Sequence, residues 1–430
     1  MIVRMDSDVL RRCLENVGHL CDAYYILDTR LEGEEYMKDT VEKVMGPKNV
    51  PGEVGEDPWD DDFGRSRTLA IRRAEKWLKG RGEILSDWYL MFMDADNHLH
   101  INGEPQDKFD GEKFYLTDEM RLNLNADRYQ VDMKSGSTSY AYAWMVSLRR
   151  TWKWEYPLHE YVTTDDKDIK SGKINGCYIW SAREGFRSKN DDKYLRDANV
   201  FKKYLETHPD DARATFYLGQ SLRDYTQQIN KFILEVTKKI QDAKDEELEG
   251  LNKELEEHKK NYEAITEEAA DAYEKRGNME GTFAEERYSS YVEAAKLRVQ
   301  DLDKNDIDKI FAMLGRAVDI CNWRLEAPYY YIRICRHKKY YGQGYRYGLG
   351  FLDIKKEDVA KKSILFMENH IYDSAFLDEL SVCSFYAGDH SLAFKLMSAC
   401  VVYEPERISK NMAFFKDMPK EIWHPLYTGK

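Results

Sequence analysis

The stretch DWYLMFMDADNHLH, residues 87–100, drives six apolar or aromatic residues into two carboxylates one residue apart, Asp94 and Asp96. Such a pair either ends a strand or holds a hard divalent cation. Magnesium and manganese take oxygen ligands, often one or two carboxylates completed by substrate phosphates. A second candidate is His159-Glu160 in TWKWEYPLHEYV. A neutral imidazole can add a third ligand to such a metal, and the adjacent carboxylate can take a proton from an acceptor hydroxyl. In isolation the same two residues read as surface decoration. A third is Arg67 in PWDDDFGRSRTLAIRRAE, on the first turn of a helix entered at Gly64. That position is either an anion site at a helix N-terminus or one half of an ion pair with Asp61 or Asp62. His98 and His100 read as loop polarity.

The elements that position these residues follow from apolar periodicity. MIV at the N-terminus and AYYILDT, residues 23–29, read as buried strands, with WYLMFMD as a third. Between the first two lies a helix that Ser7 can cap, with Val9, Leu10, Cys13, Leu14 and Val17 on one face. Phe63 to Trp77 reads as another helix. Strand–helix–strand order with continuous apolar strands predicts a parallel sheet covered on both faces. Ligands of such sheets sit beyond the carboxyl ends of the strands, where Asp28 and Asp94 both fall.

From about Asp192 the pattern becomes helix, Pro break, helix, with the turn Pro209-Asp210-Asp211-Ala212 and a later helix pair ending at Glu404-Pro405. A helical-hairpin repeat of roughly 34 residues, short and irregular, fits this half. A charge-dense insert spans about 226–269, where Glu and Lys at helical spacing predict a solvated helix or hairpin; a partner-binding coiled coil is the alternative. The predicted domains are 1–190, α/β, and 191–430, helical.

Composition narrows the classes. Hydrophobic residues make up 42% of the 430 and charged ones 33%, the net charge is −13 and the pI about 5.4. An acidic chain lacks the clustered Lys and Arg of a nucleic-acid binder, so no nucleic-acid partner is expected. No apolar run approaches the roughly 18–20 residues that span a bilayer, and the opening MIVRMDSDVL has no secretory-signal pattern. Seven widely spaced Cys read as reduced thiols, which predicts a cytoplasmic protein. If such a chain binds a nucleotide diphosphate, a bridging cation reconciles the two negative charges.

Taken in order, MIVRMDSDVLRRCLENV, PWDDDFGRSRTLAI, DWYLMFMDADNHL and TWKWEYPLHEYV resemble the family-two glycosyltransferases of the GT-A fold. They resemble in particular a subgroup with tetratricopeptide-type repeats, and HPDDARATFYLGQSLRD and DELSVCSFYAGD in the second half are similar to that subgroup's repeat region. The resemblance covers nearly the whole chain apart from the charged insert. It implies a GT-A domain, Rossmann-like with a mostly parallel sheet, followed by a helical solenoid. It also implies inverting transfer of a sugar from a nucleotide-sugar donor, UDP-linked, to a protein or glycan acceptor, with manganese or magnesium as cofactor.

Carried over by position, Asp94 and Asp96 become metal ligands with His159 as a third, and Glu160 the base. Asp28, Thr29, Arg67, Asp94 and Arg4 become contacts of the nucleotide sugar. The chain departs from the family in the loop after Asp28, where Thr29-Arg30-Leu31-Glu32-Gly33-Glu34 replaces a Thr-Gly-Ser-Thr-Asp run. It departs again at Arg4-Met5-Asp6, where the family carries Lys-Asn-Glu, and at Thr68, where it carries Asn. The helical half would hold the acceptor or form a homodimer. Two other classes remain open: a helical-repeat scaffold protein with a degenerate transferase domain, and a metal-dependent nucleotidyltransferase or phosphohydrolase using the same carboxylates.

Overall fold

Two patterns of apolar residues produce two kinds of structure. The computed structural model describes residues 1–105, 114–136, 138–182, 184, 192–301, 306–363, 365–403 and 405–415. The chain divides into two compact units, Met1–Tyr204 and the residues from Leu205 onward. The predicted boundary at 190–191 falls on residues outside that description, as does Glu404.

The first unit contains two main sheets. In the smaller, β1 (Ile2–Val3), β2 (Tyr24–Asp28) and β3 (Gly52–Glu56) run parallel in the order β1-β2-β3, with Ile2 opposite Leu27 and Tyr24 opposite Gly52. Helices α1 (Ser7–Val17) and α2 (Lys38–Met45) supply Leu10, Leu14 and Val41, which close a core around Val3 and Ile26. The cap of α1 is Asp6, not Ser7. The Asp6 carboxylate accepts from the Val9 amide at 3.3 Å, and Ser7 is the first helical residue. A carboxylate at this position also suits the positive end of the helix dipole. Helix α3 (Phe63–Gly80) covers the predicted span and buries Ala70, Ile71 and Ala74.

The third expected strand takes a different partner. β4 (Tyr89–Met91) lies antiparallel to β8 in a mixed sheet, with Tyr89 opposite Ser147 and Met91 opposite Met145. That sheet comprises β4, β5 (Asn97–Ile101), β6 (Glu104–Pro105), β7 (Arg128–Ser135), β8 (Thr138–Ser147) and β11 (Ser171–Ser181), in the order β4-β8-β7-β11-β5-β6. Only the β7–β11 pair is parallel. β1 is two residues long and ends the parallel sheet, so the bonding edge of β4 finds its partner in the long, alternating β8. In β8, Trp144 faces no residue of β7, because Tyr129 pairs with Met145 and Gln130 with Ala143. This is a bulge that re-aims the strand.

Helix α1 serves both cores. Its Cys13 and Val17 pack with Leu99, Val131 and Trp144 of the mixed sheet, while Leu10 and Leu14 face the parallel one. A hairpin of β9 (Lys153–Glu155) and β10 (Tyr161–Thr163), and the short α4 (Asp118–Leu122), complete this unit's regular structure up to α5 (Lys193–Thr207), which crosses into the second.

Among the described residues the second unit is entirely helical, from α6 (Ala212–Asp242) and α7 (Asp245–Asn278) through α8 (Ala284–Arg298), α9 (Ile307–Ile320), α10 (Glu326–His337), α11 (Tyr341–Leu349), α12 (Lys356–Lys362), α13 (Phe376–Tyr386) and α14 (His390–Ala399) to α15 (Pro405–Asn411). The charged insert forms most of α6 and α7, an antiparallel pair in which the Phe232 and His258 rings lie 5.8 Å apart. No helix among the described residues is long and apolar enough to cross a membrane.

A buried ion pair organises the middle of the second unit. The Arg324 guanidinium donates to both Glu326 oxygens at 3.0 and 2.9 Å, and Tyr288 and Tyr372 donate to Glu326 Oε2. Burial pushes the Glu326 pKa up, but Arg324 overcomes this and holds it below 4.5. An acid whose pKa is lowered by folding stabilises the fold above its unfolded value and loses that contribution as pH falls through the folded one. Glu326→Gln is therefore expected to cost about 3 kcal/mol at pH 7 by removing the main counter-charge of buried Arg324, which then keeps only Glu285, at 3.5 Å, among the described carboxylates. The deficit relative to the native chain should shrink below pH 4, as measured by thermal unfolding followed by circular dichroism.

Candidate functional site

The D-x-D segment forms a tight turn at the end of β4. The Asn97 amide donates to the Asp94 carbonyl at 3.0 Å, and the Ala182 amide donates to the Asp96 carbonyl at 3.2 Å. Helix α1 holds this turn from below. Cys13 Sγ lies 3.4 Å from the Asp94 carbonyl. The Asn16 carboxamide, fully buried, donates to the Leu99 carbonyl and accepts from the Leu99 amide at 2.7 Å, taking the place of a neighbouring strand.

Arg67 arrives from α3. Asp62 caps that helix by accepting from the Arg65 amide at 2.8 Å, and Arg65 takes Asp57 and Asp60. Arg67 is thereby left for more distant partners. Its Nη2 meets Asp94 Oδ1 at 2.6 Å and its Nε meets Glu160 Oε1 at 2.8 Å. The guanidinium also lies over the Trp154 ring, 4.9 Å from the centroid, where the face of an indole attracts a cation. The Arg67 side chain is only 11% exposed, Glu160 14% and Asp94 36%. Burial alone would lower the Arg67 pKa; the two carboxylates outweigh it and hold it above its usual value. The guanidinium therefore stays charged at any working pH.

The first turns of α3 are fastened to β9 and the turn after it, and this brings Arg67 and Glu160 together. The Phe63 amide donates to the Pro157 carbonyl at 2.9 Å. The Thr68 hydroxyl accepts from the Trp154 amide at 2.8 Å and donates to the Trp154 carbonyl at 3.3 Å. A Cβ on Gly64 would sit 2.4 Å from the Tyr156 carbonyl oxygen, so only glycine fits there. The departure at Thr68 is thus a structural joint. Tyr156 and His159 both have positive φ, 76° and 52°, an uncommon backbone state for such residues that clusters at functional sites. It turns Glu160 back toward Arg67.

Tyr142 completes this surrounding. Its hydroxyl is buried and has no hydrogen-bond partner among the described residues. Burial, reinforced by Asp94, raises its pKa, while Arg67 works against that. Sequence reasoning missed Tyr142 and Trp154 and marked Thr68 only as a departure from the resembled pattern. The alternation YAYAW and the aromatic cluster TWKWEY were the available signals.

Asp28, Thr29 and Arg4 belong to a second group, at the end of β2. Asp28 is fully buried, and its two oxygens accept from the Arg30 amide at 3.0 Å and the Met37 amide at 2.9 Å. Burial raises its pKa, opposed by these two amides. The Thr29 hydroxyl donates to the Val3 carbonyl at 3.0 Å, and Arg4 makes a two-pronged pair with Glu34 at 2.9 and 2.7 Å. All three stabilise the loop that follows β2. His159 is exposed, with its ring stacked on Phe201 at 6.2 Å.

The donor chemistry bears on whether a divalent cation suits this site. Among the described residues no three His, Cys, Asp or Glu gather closely enough to hold a metal. Asp94 and Asp96 nevertheless offer two hard carboxylates on one turn. This is the usual protein share of a magnesium or manganese site that phosphates and water complete. The chemistry of the two carboxylates suits such a cation, with Asp94 Oδ1 already engaged by Arg67 at 2.6 Å. Arg67 also lines a cleft of about 640 Å³ with Met1, Trp77, Tyr89 and Met145, whose walls do not include Asp94, Asp96, Glu160 or Tyr142.

No family model matches the chain, and no curated protein matches its sequence.

Replacing Arg67 with Ala leaves two carboxylates facing each other without their counter-charge. A loss of about 3 kcal/mol is expected, scaled down to the degree that Asp94 is solvated. Adding Glu160→Gln to Arg67→Ala should recover part of it, as read from urea unfolding at pH 7.

Proposed function

We propose that the chain is a glycosyltransferase that moves a sugar from a nucleotide-sugar donor, UDP-linked, to a protein or glycan acceptor with inversion. Its first unit would be of GT-A type and its helical unit a tetratricopeptide-like solenoid that engages the acceptor or a second copy of the chain. The observation that carries this reading is the convergence of Arg67 on Asp94 and Glu160. Three separate segments, each resembling a motif of that family, supply charged side chains to one point.

In this reading Asp94 and Asp96 hold manganese or magnesium against the diphosphate. A cation there would offset the charge that grows on the leaving diphosphate as the glycosidic bond breaks. Arg67 keeps Asp94 and Glu160 in fixed orientation. Because Arg67 engages Glu160 Oε1, the proton of the acceptor hydroxyl would pass to Oε2 as its oxygen attacks the anomeric carbon. Asp28 and the Arg4–Glu34 pair shape the nucleoside loop, so their contribution to donor binding is made through that loop.

A second reading, a scaffold protein with a degenerate transferase domain, draws on one observation. Arg67, Arg4, Asp28 and Thr29 already engage neighbouring protein groups.

The two readings separate by thermal shift. The native chain is expected to gain several degrees of Tm with UDP and manganese together. The gain should vanish in Asp94→Asn/Asp96→Asn, and slow hydrolysis of a UDP-sugar panel should vanish with it. No shift with any nucleoside diphosphate, with or without metal, would favour the scaffold.

A further inference from the structure

Among the described residues, two buried aromatic donors near Arg67 lack an acceptor, the Trp154 indole N–H and the Tyr142 hydroxyl, and the phenol is the one that can turn about its C–O bond toward a ligand. A buried polar group without a partner costs stability, and such defects mark places where binding was favoured over folding. Its location follows from strand register. β4 and β8 pair antiparallel from Tyr89–Ser147 to Met91–Met145, and the ladder continues one step further with the Phe92 amide on the Trp144 carbonyl at 2.8 Å. Carrying that register forward sets Asp94 across from Tyr142. The ring packs against both the core below the mixed sheet and the core around Trp152 and Trp154, so neighbours fix it on both sides. The charged groups that act on it electrostatically are Asp94, Arg67 and Glu160.

The charge balance selects the ligand chemistry. Arg67 is shared between Asp94 and Glu160, so the trio carries one net negative charge, and Asp96 adds to it. A phosphate oxygen beside these groups would need the cation. A sugar hydroxyl or ring oxygen is neutral and accepts a hydrogen bond from a neutral phenol. We infer that Tyr142 is a specificity-determining residue that donates this bond to the sugar of the bound donor, between Asp94 and Glu160, and not to the diphosphate. The inference rests on the transferase reading.

Calorimetry on the full chain with manganese tests this by comparing UDP with UDP-glucose, UDP-galactose and UDP-N-acetylglucosamine for the native chain and Tyr142→Phe. The variant is expected to bind UDP as the native chain does and to lose about five- to tenfold in affinity for the preferred UDP-sugar, the worth of one hydrogen bond. Its ligand-free Tm should be equal to or above the native one, because an unpartnered buried hydroxyl has been removed. Equal affinity of both proteins for every UDP-sugar would overturn the inference while leaving the transferase reading intact. So would parallel loss for UDP and UDP-sugars, or a lowered ligand-free Tm, which marks a structural role. If the native chain binds neither UDP nor any UDP-sugar, the transferase reading fails and the inference falls with it.

Discussion

One guanidinium shared by two carboxylates fixes the geometry around which the first unit is arranged. Arg67 is nearly buried, and neither Asp94 nor Glu160 can be removed from it without leaving charge in a poorly solvated place. The surrounding structure meets that demand. Asp62, Asp57 and Asp60 occupy Arg65 and the helix start, so that Arg67 points inward. Thr68 and Gly64 draw β9 against the helix, Cys13 and Asn16 hold the turn and strand that carry Asp94, and the Trp154 ring forms the floor. Each of these contacts is modest alone. Together they permit a buried charge cluster that no one of them would justify.

The features legible in the sequence were those written in local periodicity and residue type. The strands at Ile2–Val3 and Tyr24–Asp28, the helix at Phe63–Gly80 and the helical second unit follow apolar spacing that needs no knowledge of partners. Arg67 was left between an anion site and a pair with Asp61 or Asp62, because local reasoning can weigh only nearby acids. The pairing of β4 with β8 was not legible, since a strand's partner is a non-local choice. It turned on the shortness of β1 and the length of β8. Tyr142, Trp154 and Thr68 escaped for the same reason. Their roles come from register and from a helix lying on a hairpin, although Thr68 and Trp154 lie within PWDDDFGRSRTLAI and TWKWEYPLHEYV. Asp6 displaced Ser7 as cap because both residues are competent and the geometry of the strand exit decided between them.

The loop after β2 is braced from within. Arg4 and Glu34 form a two-pronged pair, and Asp28 accepts from two amides of the loop. Contacts of this kind fix the loop's shape. Any ligand approaching it meets a preformed backbone, so the groups on offer there are mainly main-chain carbonyls, amides and the Arg30–Glu56 pair.

The bonds of Arg67 also set an order of assembly. Its partners lie 27 and 93 residues away along the chain. Closing the longer of those loops is entropically the harder step. During synthesis the helix carrying Arg67 therefore emerges well before Glu160 exists to receive it. In the folded protein Glu160 is correspondingly hard to release. Opening the Tyr156–His159 turn, with its two left-handed residues, would break the Phe63–Pro157 bond and expose buried Leu158, so the cluster and the turn stand or fall together.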